Sequence, residues 1–215
     1  MTSHAQPFTS HWQAITATFR TESRSEGLQV LLVTDLVSFT NLVVALGDFP
    51  ARQIMRAHNR LLRRCFKDHG GREVTHTGDG MFGAFTSVRR AINCAVAIRD
   101  EVAPSNVVSL DAPLQIRIGL HLGEPLPEEQ RLFGACVNTA VRICASAEPG
   151  TILASEVVRQ AAIGHSVEFT DRGSYLLKGL ARSMQLYEVA KHAEDDALCP
   201  IRNLCSLERE TGHAV

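Results

Sequence analysis

An α/β chain of the α+β kind, one domain on a ferredoxin-like sheet of split βαβ units, is what this sequence predicts. Three observations lead there. Residues 28–34 form an apolar run that reads as a buried strand. Residues 51–69 and 88–102 repeat apolar positions at helical spacing. Between those helices, residues 73–77 and 81–85 read as short strands closed into a tight hairpin by Gly78-Asp79-Gly80. A strand, helix, hairpin, helix and further strand make two interleaved βαβ units, which favours this sheet over a doubly wound one.

In chain order, residues 1–27 are rich in Ser, Thr and His, with Trp12, Ile15 and Phe19 at loose helical spacing, and read as an N-terminal arm. The strand at 28–34 carries Asp35 at its exit. Ile54, Leu61, Leu62 and Cys65 mark the buried side of the first long helix, and Gly70-Gly71 stop it. The helix at 88–102 is amphipathic and rich in Ala and Ile. Residues 114–122 alternate as a strand, and 134–147 return to helical spacing. A short strand at 151–154 leads into a helix ending near residue 162, and strands at 167–170 and 184–189 close the sheet. The expected organisation is an arm at 1–27, one folded domain at 28–190 and a charged tail at 191–215.

Composition narrows the function classes. The chain has 215 residues, 45% of them hydrophobic, enough for one sizeable core. Its formal charge is −1, so no global field draws it onto nucleic acid or an anionic membrane, although a local patch is compatible with that balance. The expected partners therefore include neither. No apolar run approaches the roughly 18 residues of a spanning helix, and the polar N-terminus does not read as a signal peptide. Six cysteines lie scattered without a C-x-x-C pair, which suits reduced thiols in a cytoplasmic protein better than zinc or disulfides. No Walker A pattern is present, so the usual P-loop reading loses its main support.

Two carboxylates stand out. Asp35 follows a buried strand, and Asp79 sits in a Gly-Asp-Gly tip where the backbone can turn sharply and a ligand can approach closely. Oxygen ligands of this kind suit Mg2+ or Mn2+. Two such ions about 3.5–4 Å apart can clamp a nucleophilic oxygen and a phosphate during in-line displacement. Backbone N–H groups of Ser38, Phe39 and Thr40, at a helix start, are placed to receive further phosphates. Each Asp taken singly is equally an ordinary turn or cap residue. His76 and His121 are expected to have packing or solvent roles.

The aspartates occur within Thr34-Asp35-Leu36-Val37-Ser38-Phe39-Thr40 and Thr77-Gly78-Asp79-Gly80. Downstream come Ile116-Arg117-Ile118-Gly119-Leu120-His121, then Phe133-Gly134-Ala135-Cys136-Val137-Asn138-Thr139-Ala140-Val141-Arg142, then Leu177-Lys178-Gly179. In this order they resemble the class III adenylyl/guanylyl cyclase catalytic domain from about residue 28 to 190. The resemblance implies a homodimer with composite sites between protomers and a nucleoside triphosphate substrate. It implies two divalent metals, Mn2+ or Mg2+, on Asp35 and Asp79, with the Leu36 carbonyl completing one shell. Asn138 would orient the ribose and Arg142 stabilise charge on the α-phosphate, both from the opposite subunit. Their spacing of four puts them on one helix face. Arg117 and Lys178 resemble triphosphate contacts. The implied reaction is attack of the ribose 3′-oxygen on the α-phosphorus with loss of pyrophosphate, a chemistry driven by positioning and charge compensation.

The base-reading positions depart from the family. Where adenylyl cyclases carry Lys and Asp, this chain has Thr75 and Arg131, and the Glu and small residue of guanylyl cyclases are also missing. Losing the Asp removes an acceptor for adenine's amino group, while Arg131 supplies only donors on a long stem. A small base edged with carbonyl oxygens fits, and uracil has two. This resembles the pyrimidine (uridylate/cytidylate) cyclases of the Pycsar antiphage system. Adenylate or guanylate cyclase, and a non-catalytic nucleotide-binding homologue, remain as alternatives.

Overall fold

The computed structural model describes residues 27–37, 39–76, 78–102, 114–128 and 131–190. The expected arm (apart from Gly27), the tail and Ser38 lie outside them. Fourteen elements follow in the order β1 Gln29–Val37, α1 Phe39–Leu46, α2 Asp48–Asp68, β2 Arg72–His76, β3 Met81–Phe85, α3 Val88–Val102, β4 Gln115–Gly123, β5 Leu126–Glu128, β6 Arg131–Phe133, α4 Ala135–Ser146, β7 Ile152–Ser155, α5 Glu156–Ala161, β8 Phe169–Tyr175 and β9 Met184–Val189.

Seven strands form one mixed sheet in the order β2-β3-β1-β4-β7-β9-β8, and β5 with β6 forms a separate ribbon. β1 is antiparallel to both β3 and β4, and β2 is antiparallel to β3. So β1 and β2 run parallel with β3 between them, and β3 and β4 run parallel with β1 between them. These are the two split βαβ units the sequence predicts. β4 then pairs in parallel with β7, and β7–β9 and β9–β8 extend the sheet antiparallel.

Both faces of the central strands are covered, which explains why β1 reads as an almost unbroken apolar run. On one face Val30 and Leu32 of β1, Met81 and Phe85 of β3 and Ile116, Ile118 and Leu120 of β4 pack under α2, α3 and α5. On the other, Leu31, Val33, Phe82 and Ala84 meet Ala140 and Cys144 of α4. Helix α4 can lie that close because Gly119 has no side chain. A Cβ there would stand 2.4 Å from the Cys144 nitrogen and 2.8 Å from the Ala140 oxygen.

Three local expectations change. β1 runs on to Val37, so Asp35 lies inside the strand rather than at its exit. It can stay paired there because Arg117 sits directly opposite on β4 and offsets its charge. The helix start expected at residues 38–40 opens a separate helix, α1, which the helical pattern beginning at residue 51 did not include. The β5–β6 ribbon is only three residues per strand, too short for alternation to register.

Candidate functional site

The carboxylate pair forms through a side-chain bond. Register between β1 and β3 stops at Val33↔Phe82. Beyond it the Thr34 hydroxyl accepts a hydrogen bond from the Met81 N–H at 2.9 Å. Thr34 is fully buried, so this bond ties the tip end of the β2–β3 hairpin to β1 one residue before Asp35. Asp79 at the hairpin tip is thereby held near Asp35, close enough for its charge to raise the Asp35 pKa. Gly78 takes φ 93, a backbone state that favours glycine and turns the tip back.

Asp35 is only 4% exposed. Burial pushes its carboxyl above the ordinary range, and the Arg117 charge and hydrogen bond partly offset that shift. Arg117 Nε donates to Asp35 Oδ2 at 2.7 Å, and a second guanidinium nitrogen reaches the same oxygen at 2.7 Å. Arg117 Nη1 also donates to the Ala145 carbonyl at 3.3 Å, joining β4, β1 and the end of α4. A site with two converging carboxylates and one guanidinium is short of positive charge, and hard oxygen donors are the chemistry it offers. Those residues fit divalent cations. Among the described residues no group of three His, Cys, Asp or Glu could hold an ion alone. Phosphate oxygens and the Leu36 carbonyl would have to complete the coordination. Phe39 and Thr40 open α1, immediately beyond β1.

Asn138 and Arg142 sit elsewhere. On α4 the buried positions are Thr139, Ala140, Ile143 and Cys144. At 3.6 residues per turn, Asn138 and Arg142 fall on the opposite side of the helix, turned away from their own sheet. They therefore point away from the Asp35 of their own chain. Thr75 joins them: it is paired with Phe82, so it faces the α4 side of the sheet. β6 lies against β2, and Leu132 of β6 joins the same apolar cluster as Val74 of β2. Arg131 is exposed and stands opposite Glu128 across the ribbon. Lys178 is exposed in the turn between β8 and β9, beside buried Leu177, which shares an apolar cluster with Ile143 of α4 and Ala147 just beyond it. One chain thus brings Asp35, Asp79 and Arg117 together in one half-site, while Asn138 and Arg142 face away from it on α4, with Thr75 on the same sheet face as that helix.

One contributor was not anticipated. His76 is paired with Met81, so its ring faces α2, away from the half-site of Thr75. Yet its Nδ1 accepts the Gly78 N–H at 3.3 Å, bracing the residue beside Asp79. The signal was a ring acceptor two residues before a glycine turn. His121, on β4, bonds Ser155 Oγ at 2.9 Å, the packing role expected of it. Cys65, Cys94, Cys136 and Cys144 are free thiols.

A model of the adenylate and guanylate cyclase catalytic domain matches residues 22–191. Among curated proteins, the putative adenylate cyclase 3 of Rhizobium meliloti is 29% identical over 168 residues, 77% of this chain and 29% of that protein. The serine/threonine-protein kinase pkn2 of Myxococcus xanthus is 27% identical over 80% of this chain, which spans 21% of its length. This chain thus spans less than a third of either relative. Among solved structures, an adenylate/guanylate cyclase/hydrolase from Silicibacter pomeroyi superposes with TM-score 0.67 at 28% identity, over 79% of this chain and 100% of that one. The adenylyl cyclase CyaB from P. aeruginosa gives TM-score 0.69 at 20% identity, over 78% and 96%, a likeness of fold. The family match spans both half-sites and the sheet that carries them, and this chain belongs to the adenylate and guanylate cyclase catalytic-domain family.

Proposed function

We propose that residues 28–190 are a nucleotide cyclase domain. It would act as a homodimer that turns a nucleoside triphosphate into a 3′,5′-cyclic nucleotide and pyrophosphate. The observation that carries this reading is the division of the site: each chain holds one half facing its own hairpin and the other facing outward on α4. A two-fold dimer that sets α4 of one protomer against the hairpin of its partner completes two sites at once. Bound divalent cations, Mn2+ or Mg2+, would supply charge for the phosphates and acidify the attacking hydroxyl.

The chain's own groups do the rest. Asp35 and Asp79 hold the cations, and the N–H groups of Ser38, Phe39 and Thr40 receive phosphate oxygens. Arg117, bonded to Asp35 in the free chain, exchanges that carboxylate for the triphosphate, which Lys178 also meets. Asn138 orients the ribose so that its 3′-oxygen faces the α-phosphorus. The 3′-oxygen loses its proton to solvent and forms the new P–O bond, while the bond to the β-phosphate oxygen breaks and pyrophosphate leaves. Arg142 balances the charge that develops on the α-phosphate. Thr75 and Arg131 read the base, and donor-only chemistry at Arg131 favours a pyrimidine, UTP ahead of CTP. A pyrimidine cyclase of that kind suits antiphage signalling in the cytoplasm. The names of the relatives favour a second reading, ATP or GTP as substrate.

Complementation tests the composite site. Asp79→Asn and Arg142→Ala should each abolish product formation alone. An equal mixture that exchanges subunits should regain about a quarter of wild-type activity, since half the dimers carry one intact site of two. No recovery in proven heterodimers would sink the shared-site reading. Product analysis with each of the four triphosphates tests the base assignment, and predominant cyclic AMP would overturn the pyrimidine preference while leaving the reaction class intact.

A further inference from the structure

The near-neutral charge of the whole chain averages over a strongly basic feature. Helix α2 carries Arg52, Arg56, Arg60, Arg63 and Lys67, spaced by three or four residues, so all five fall on one stripe. Its buried positions, Ala51, His58, Leu62, Cys65 and Phe66, lie on another side of the helix, and all five basic residues are exposed. The helix's acids are confined to its two ends, Asp48 and Asp68. Arg63 is paired with Glu73 at 2.8 Å. Among the described residues, Arg52, Arg56, Arg60 and Lys67 are in no ion pair.

Those four cations extend over about 22 Å of helix, roughly 6 Å apart where they are four residues apart. Like charges at this spacing repel and weaken the helix, so the arrangement works against local stability. Phe49 lies on the same stripe one turn before Arg52 and is 71% exposed, and Val44 on α1 is 82% exposed. Arg90 of α3 lies over Gly70 at the other end of α2 and prolongs the basic surface. The stripe is on the sheet face opposite α4, so the proposed dimer leaves it uncovered.

We propose that this face of α2 docks on an anionic phospholipid surface. A row of cations along one exposed helix face can meet a flat sheet of negative headgroups, and the Phe49 ring at one end can enter the headgroup layer. Nucleic acid fits less well, because the stripe offers a single aromatic and no groove that would track a bent backbone. The catalytic half-sites play no part in this contact.

Co-sedimentation of the full chain with vesicles tests it. Vesicles of phosphatidylcholine with about a third phosphatidylserine should bind the protein at low ionic strength, and pure phosphatidylcholine should not. Binding should fall as salt is raised. Replacing Arg52, Arg56, Arg60 and Lys67 by Gln in turn should weaken partitioning about fivefold per cation removed. Phe49→Ser should remove the part of the binding that survives salt. Cyclisation in solution and the melting temperature should stay near wild type in the four-Gln variant, which shows that it is folded. Absence of binding to the anionic vesicles, or equal binding by the four-Gln variant, would overturn the proposal. So would capture of the protein by a short DNA duplex with no partition onto vesicles.

Discussion

Replacing Gly119 by Ala should move helix α4 and with it the half-site it carries. The added Cβ would lie 2.4 Å from the Cys144 nitrogen, 2.7 Å from its Cα and 2.8 Å from the Ala140 carbonyl oxygen. All three atoms are backbone, so no rotamer change relieves the clash, and the helix must retreat from β4 by about 1 Å to reach ordinary contact. Overpacking of this kind costs about 1–3 kcal/mol. In a domain of this size that lowers the melting temperature by roughly 2–4 °C per kcal/mol. Asn138 and Arg142 ride on the same helix, and a displacement of about 1 Å in positioning groups can cost on the order of a hundredfold in rate. Thermal unfolding and steady-state kinetics with each triphosphate are the assays. The expected result is a modest melting shift and a large drop in kcat, with KM less affected. An unchanged kcat alongside the lower melting temperature would show that α4 does not need this position for catalysis. No change in either would refute the packing argument itself.

Other outcomes follow from the electrostatics and the base-reading positions. His58 is buried beside His76 and its pKa is pushed down to about 4, by burial first and by the His76 charge second. Its unfolded form binds protons from about pH 6.5 downward, so its contribution to stability is complete above that value and fades as the pH falls towards 4. The loss amounts to roughly 3 kcal/mol. His58→Phe should flatten the acid limb of a stability-versus-pH curve; an unchanged limb would remove His58 from the account. Arg117→Ala leaves the Asp35 carboxylate buried without its partner, which should cost about 3–5 kcal/mol. Divalent cation should then raise the melting temperature more than it does in the wild type, and an equal rise in both would argue against cation binding at Asp35. Thr75→Lys with Arg131→Asp should shift the preferred substrate toward ATP. Unchanged preference would mean that the base is read elsewhere.

Local chemistry made much of the fold legible. The helix at Val88–Val102 and the strands at Met81–Phe85 and Met184–Val189 begin and end where the sequence places them: the helix keeps one buried face, and Met81–Phe85 is a short apolar run buried throughout. Asp35 and Asp79 stood out in the sequence only through the motifs around them, since each alone is equally an ordinary turn or cap residue. The face of His76 was not legible: a register shift between Glu73 and Thr75 breaks the alternation from which it would be counted. The ribbon carrying Arg131 was too short to leave a pattern.

By itself, the order of residues determined the split βαβ sheet, the acidic pair and the four-residue spacing of Asn138 and Arg142. Those depend on periods of two and 3.6 and on residue chemistry, which are local properties. Only the folded chain decided that Asp35 lies inside β1 against Arg117, that the Thr34–Met81 bond holds the hairpin, and that Asn138 and Arg142 face outward. Each of these is a contact, or a direction relative to the core, between residues far apart in sequence. Burial and register become defined only when the strands and helices pack together.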